Sequence, residues 1–143
     1  MGEGVPFAGD PGAVAETSMI SIVDDDPAVR RGFRILMDTA GLPVETFASA
    51  EEFLASPSLS ATRCLILDIC MPGIDGLELQ RRLRAANWEI PIIFISAETD
   101  EKVRALALEG GAIEFFAKPF STEALLDAVD LALASRPPTA AGG

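Results

Sequence analysis

The carboxylate of Asp68 sits at the end of the apolar run Leu65-Ile66-Leu67, just before a segment that breaks into Pro72, Gly73 and Gly76. An apolar run that stops at a charge and turns at once is the pattern of a buried strand delivering that charge to a loop mouth. Three other runs end in the same way: Met19–Val23 on Asp24, Asp25 and Asp26, residues 90–95 on Ser96, and residues 113–117 on Lys118. Asp26 stands before Pro27 and suits a helix N-cap with Pro at the first helical position, which leaves Asp24 and Asp25 for chemistry with Asp68. Three carboxylates drawn together repel one another. Such a site either holds a proton or binds a hard divalent cation, and oxygen donors with room for retained waters suit Mg²⁺. With that charge offset, an Asp68 oxygen is a nucleophile for in-line attack on a phosphoryl group. The Lys118 ammonium and the Ser96 hydroxyl would stabilise the equatorial oxygens, and the product is an aspartyl phosphate.

These positions meet only if the runs are neighbouring strands of one parallel sheet. Between them, Val29, Phe33, Leu36, Met37 and Ala40 recur at helical spacing, and Gly41 stops that helix. Residues 43–47 alternate like a half-exposed edge strand opening on Pro43. Ser49 with Glu52 forms a capping box for a short second helix, and Asp75 with Glu78 caps a third that carries Leu77, Leu79 and Leu83. Residues 90–96 are apolar on both faces, as a parallel sheet covered by helices requires. Val103, Leu106 and Ala107 mark a fourth helix ending at Gly110-Gly111. Ser121 caps a fifth with Leu125, Leu126, Val129 and Leu133, stopped by Arg136-Pro137-Pro138. Five strands alternating with five helices predict an α/β fold, a doubly wound five-stranded parallel sheet with right-handed crossovers and its ligand edge at the carboxyl ends of the strands. Residues 18–134 form the predicted domain, 1–17 a flexible N-terminal extension and 135–143 a C-terminal tail or linker stump.

Composition narrows the function classes. A chain of 143 residues, 49% hydrophobic and 23% charged, fits one core and excludes a second sizeable domain. A net charge of −11 with only 11 scattered Lys and Arg argues against a nucleic-acid surface. Two cysteines and no histidine rule out a zinc site built of Cys and His, and Cys64 suits a small core position. No basic leader with an apolar core and no run of 18 apolar residues occurs, so neither export nor a membrane span is expected and the cytoplasm is the expected location.

With these residues in this order, the chain resembles the receiver domains of two-component response regulators, most closely those of LuxR-type transcriptional regulators. The carriers are Ile22-Val23-Asp24-Asp25-Asp26, the stretch from Leu67 and Asp68 through Cys70-Met71-Pro72-Gly73 with Asp75-Gly76, Ile95-Ser96-Ala97, and Lys118-Pro119-Phe120. Each is weak alone, and the ordered set is specific. The resemblance implies a flavodoxin-like receiver fold of strand order 2-1-3-4-5 and Asp68 as the phosphoacceptor. It implies Asp25 and Asp68 as direct Mg²⁺ ligands, Asp24 helping through water, and the backbone carbonyl of Cys70 as a further ligand. Ser96, Ala97 and Lys118 would contact the phosphoryl group, Lys118-Pro119 would be a cis peptide, and Phe115 would be an aromatic switch that turns inward as Ser96 moves toward the phosphate. The resemblance also implies that Cys70 and Glu98 would tune dephosphorylation. The implied role is a phosphorylation-activated signalling switch that catalyses only its own phosphotransfer and dephosphorylation. Its implied partners are a sensor histidine kinase or phosphotransfer protein, and a second copy through the face made by the fourth helix, fifth strand and fifth helix.

Two competing readings use the same residues. A phosphatase or phosphotransferase of the haloacid-dehalogenase type also combines a nucleophilic Asp with Mg²⁺, but needs a second acid two residues after the nucleophile, where Cys70 stands. A receiver that has lost phosphorylation and only docks would not need all of Asp24, Asp25, Asp68, Ser96 and Lys118.

Overall fold

The structure, a computed structural model, describes residues 19–97 and 100–135; the expected N-terminal extension, Glu98, the Pro137-Pro138 stop and the tail after Ser135 lie outside the described residues. Five parallel strands, β1 (Met19–Val23), β2 (Val44–Phe47), β3 (Thr62–Asp68), β4 (Ile92–Ser96) and β5 (Glu114–Ala117), form one sheet of order β2-β1-β3-β4-β5. The helices α1 (Pro27–Thr39), α2 (Ala50–Leu54), α3 (Gly76–Ala85), α4 (Glu101–Glu109) and α5 (Thr122–Ser135) lie between successive strands and after the last. The 2-1-3-4-5 order expected from the sequence is therefore observed.

Alternation along the central strands assigns the helices to faces. On β3, Leu65 and Leu67 join Phe53 of α2, Leu79 and Leu83 of α3 and Ala107 of α4 in one cluster. Cys64 and Ile66 point the other way, into a second cluster with Phe33 and Met37 of α1 and Leu125, Val129 and Ala132 of α5. Every residue of β4 is buried, because both of its faces are covered. The edge strand β2 keeps Glu45 exposed.

Helix starts follow the expected caps. The Asp26, Ser49 and Asp75 side chains accept from the Ala28, Glu52 and Glu78 amides, and the Ser121 hydroxyl accepts from the Ala124 amide. Gly41 takes φ +75, the left-handed turn that ends α1. Strands β2 and β4 begin after Pro43 and Pro91 because proline has no amide to give the ladder. Each proline's carbonyl still accepts a bond, from the Ile20 amide at 3.0 Å and the Leu65 amide at 2.9 Å. A 3-10 helix at Pro57–Ala61 and the first three residues of β3 had no apolar signature. Thr62 joins them, its hydroxyl bonding the Ser58 carbonyl and the buried Ser21 hydroxyl at 2.7 Å each.

Phe53 is fully buried, so Phe53→Ala should lower unfolding free energy by about 3–5 kcal/mol. Ile35→Ala, at a mostly exposed site, should change it by no more than about 0.5 kcal/mol. Urea unfolding of the two variants checks this, and similar costs at both positions would contradict the assignment of the core.

Candidate functional site

Strand register brings the candidate residues to one edge. Val23 lies beside Leu67, so Asp24 and Asp68 emerge as neighbours from β1 and β3. Asp68 pairs with Ile95, and Ser96 pairs with Ala117, which puts Ser96 and Lys118 on the other side of Asp68. The Lys118 amide donates to the Ser96 carbonyl at 2.9 Å, and Lys118-Pro119 is cis, as expected.

Carboxylate oxygens of Asp24, Asp25 and Asp68 lie within 4.8 Å of one another. Asp24 and Asp68 are only 2% and 6% exposed, whereas Asp25 opens to solvent. Asp24 is held on both oxygens: Oδ1 accepts from the Asp26 amide at 2.9 Å, and Oδ2 accepts from Lys118 Nζ at 3.1 Å. The same ammonium stands 3.7 Å from Asp68 Oδ2. Asp68 Oδ1 receives one long bond, 3.4 Å, from the Cys70 amide. Ser96 is fully buried and Ala97 exposed at the rim.

The electrostatics follow from this crowding. Burial and the Asp24 charge push the Asp68 carboxyl from the usual 3.8 up to about 6, against the opposing pull of Lys118 and the Cys70 amide. Burial alone would lower the Lys118 ammonium. The Asp24 charge and hydrogen bond, with Asp68 behind them, more than compensate and raise it. A surplus of negative charge on hard oxygen donors, closed on one side and open to water on the other, fits Mg²⁺ or a similar cation. Cys64 is a core residue whose thiol burial pushes up to about 12, while Cys70 is exposed.

Phe115, expected as the ring that turns inward, already lies inward: it is 6% exposed and its centroid is 6.3 Å from that of Phe94. Three further contributors have roles that only the folded chain reveals, although Gly76 already stood in the turn signal after Asp68. Gly76 opens α3 so close beneath the Asp68 carbonyl oxygen and the Ile69 Cα that a Cβ there would collide with both. Glu51 Oε2 accepts from the Ile74 amide at 3.3 Å and packs against Gly73, whose φ is +76. Arg30 Nη1 donates to the Asp24 carbonyl at 2.7 Å. The last two partners are main-chain atoms that only the folded loops bring near.

A doubly wound parallel sheet whose carboxyl edge gathers three aspartates and a lysine places the chain in the class of flavodoxin-like α/β domains with an acidic pocket at that edge. The match to a family model is specific: residues 20–130 fit the response regulator receiver domain, and the chain belongs to that family. It is 46% identical over 120 residues to the response regulator protein TodT of Pseudomonas putida, covering 84% of this chain and 53% of that one. To the transcriptional regulatory protein FixJ of Bradyrhizobium diazoefficiens it is 36% identical over 122 residues, covering 85% and 59%. The chain thus spans little more than half the length of these curated relatives. The crystal structure of FixJ-N superposes with a TM-score of 0.75 at 31% identity, covering 83% of this chain and 95% of that one.

The raised Asp68 carboxyl sets a pH signature. Because its folded value lies above its unfolded one, the neutral form favours the fold below about pH 4, and that advantage is lost as pH rises through about 6. In cation-free buffer, the melting temperature of Asp68→Asn should therefore exceed that of the parent by a margin that opens between pH 4 and pH 6 and then levels. A margin independent of pH would contradict the buried, only partly compensated carboxylate.

Proposed function

We propose that the chain is a phosphorylation-activated switch of a two-component system, taking a phosphoryl group onto Asp68 from a phosphohistidine of a sensor kinase or phosphotransfer protein. The observation that carries this reading is Asp68, buried yet within reach of Lys118 and clustered with Asp24 and Asp25. An Asp68 oxygen forms the new bond to phosphorus while the phosphorus–nitrogen bond to the donor imidazole breaks, the electron pair staying on that nitrogen. Lys118 exchanges part of its contact with Asp24 for a phosphoryl oxygen, and the Ser96 hydroxyl with the Ala97 amide receives another. In this reading Asp25, Asp68 and the Cys70 carbonyl would hold Mg²⁺ directly and Asp24 would help through water; the chemistry the cation would supply is neutralisation of charge on the transferring group.

The readout surface is the face of α4, β5 and α5, which also serves as the face for a second copy. Leu106 on α4 and Leu131 on α5 are large apolar side chains left exposed. Phe115 of β5 contacts Phe94, two residues before Ser96, so a shift of Ser96 toward phosphate is felt under that face. Lacking a hydroxyl, Phe115 acts by packing alone, and the inward ring seen here is the arrangement that phosphorylation favours. The net charge of −11 supports a role without nucleic-acid contact by this chain. Among the described residues no helix is long and apolar enough to cross a membrane, and the cytoplasm is the proposed site of action.

Incubation with a small phosphodonor and Mg²⁺ should add one phosphoryl group to the intact mass, and Asp68→Asn should abolish it. Undiminished labelling of Asp68→Asn would overturn the assignment.

A further inference from the structure

Asp25 differs from its two neighbours in how it is held. Asp24 is fixed through both carboxylate oxygens and through its amide, which donates to the Phe47 carbonyl at 3.1 Å; Asp68 is fixed within β3. Asp25 lies in the turn between β1 and α1 with its side chain in solvent, so its position depends on the backbone that carries it. That backbone has a clamp. The carbonyl of Asp24 and the amide of Asp25 belong to one planar peptide unit, and Arg30 Nη1 donates to that carbonyl at 2.7 Å. A charged donor at this distance makes one of the stronger bonds available to a main-chain oxygen. Arg30 itself is held in the first turn of α1, whose N-cap Asp26 is the next residue along the same turn.

From this geometry we infer that Arg30 is a positioning residue for the cation site: by fixing the Asp24–Asp25 peptide plane it sets where the Asp25 carboxylate stands relative to Asp24 and Asp68. The inference rests on the proposed role of these aspartates in holding Mg²⁺. Its consequence runs against simple charge counting. A guanidinium beside an acidic cluster opposes a cation, so removing it should tighten binding if charge were all that mattered. Removing a clamp on a ligand's backbone should weaken binding instead, because supporting groups that orient metal ligands control affinity strongly.

The two effects have opposite signs, which makes the test decisive. Mg²⁺ affinity of the full chain is measured by calorimetric titration for the parent, Arg30→Met, which keeps the aliphatic stem without charge or donor, and Arg30→Lys, which keeps both. Melting temperatures in cation-free buffer report the stability of each. Phosphorylation of each by a small phosphodonor is followed by intact mass, so that docking of a protein partner on α1 plays no part. Arg30→Met should weaken Mg²⁺ binding by about tenfold, the lower end for lost supporting partners, and slow phosphorylation in step. Arg30→Lys should recover most of both. Unchanged or tighter binding in Arg30→Met would overturn the inference. So would an equal loss in both variants that merely follows their cation-free melting temperatures. A parent that binds no Mg²⁺ would instead overturn the functional reading, and the inference with it.

Discussion

Two buried carboxylates side by side, Asp24 and Asp68, are the constraint around which this molecule is arranged. Parallel register leaves them no alternative: with Val23 beside Leu67, the next residues of β1 and the last of β3 must share the edge. Lys118 relieves part of the repulsion by reaching both, at 3.1 and 3.7 Å, but it stands on one side only. Burial first, and the Asp24 charge after it, leave the Asp68 carboxyl raised all the same. Apposed acids with one cation between them cost stability in the resting protein and leave a site that gains from a second cation and from an electrophile.

The rest of the fold holds that edge steady while leaving one exit for its strain. Two apolar clusters, one on each face, bury all of β4 and every residue of β3 but Arg63, and this packing holds the strand ends together. The loop after Asp68 is drawn in by three contacts: Gly76 beneath the Asp68 carbonyl, the Gly76 amide on the Ile69 carbonyl at 2.9 Å, and Glu51 on Ile74. The β4–α4 side is different. Ser96 is buried at its strand end, Ala97 is exposed beyond it, and the nearest large core contact is the Phe94–Phe115 pair. In the proposed switch, a charge change at Asp68 would pass toward α4 and β5 through these packed side chains.

Much of this was legible in the sequence because the fold writes its strand ends locally. An apolar run stopping at Asp68, Ser96 or Lys118 needs no knowledge of distant residues, and the caps at Asp26, Ser49, Asp75 and Ser121 are equally local. Alternation of strands and helices pointed to a doubly wound sheet, and the strand order came from the family resemblance alone. What was not legible depends on partners that lack a side-chain signature. Arg30 is one of three arginines on α1, and only the folded turn reveals that it meets the Asp24 carbonyl. Glu51 looked like any acid in the first turn of α2, yet it bonds an amide 23 positions away. The inward position of Phe115 likewise depends on its tertiary neighbour Phe94 rather than on its place in the sequence.

A cation held by Asp24, Asp25 and Asp68 should stabilise the fold, and this is the central claim. Its most direct test is the melting temperature of the parent and of Asp25→Ala as Mg²⁺ is raised at neutral pH. Asp25 is the exposed acid, so its removal leaves the core intact. The account predicts that the parent's melting temperature climbs with Mg²⁺ and that Asp25→Ala loses most of that climb, since binding only the folded state stabilises it by mass action. A parent indifferent to Mg²⁺, or a variant that responds as strongly as the parent, would contradict it.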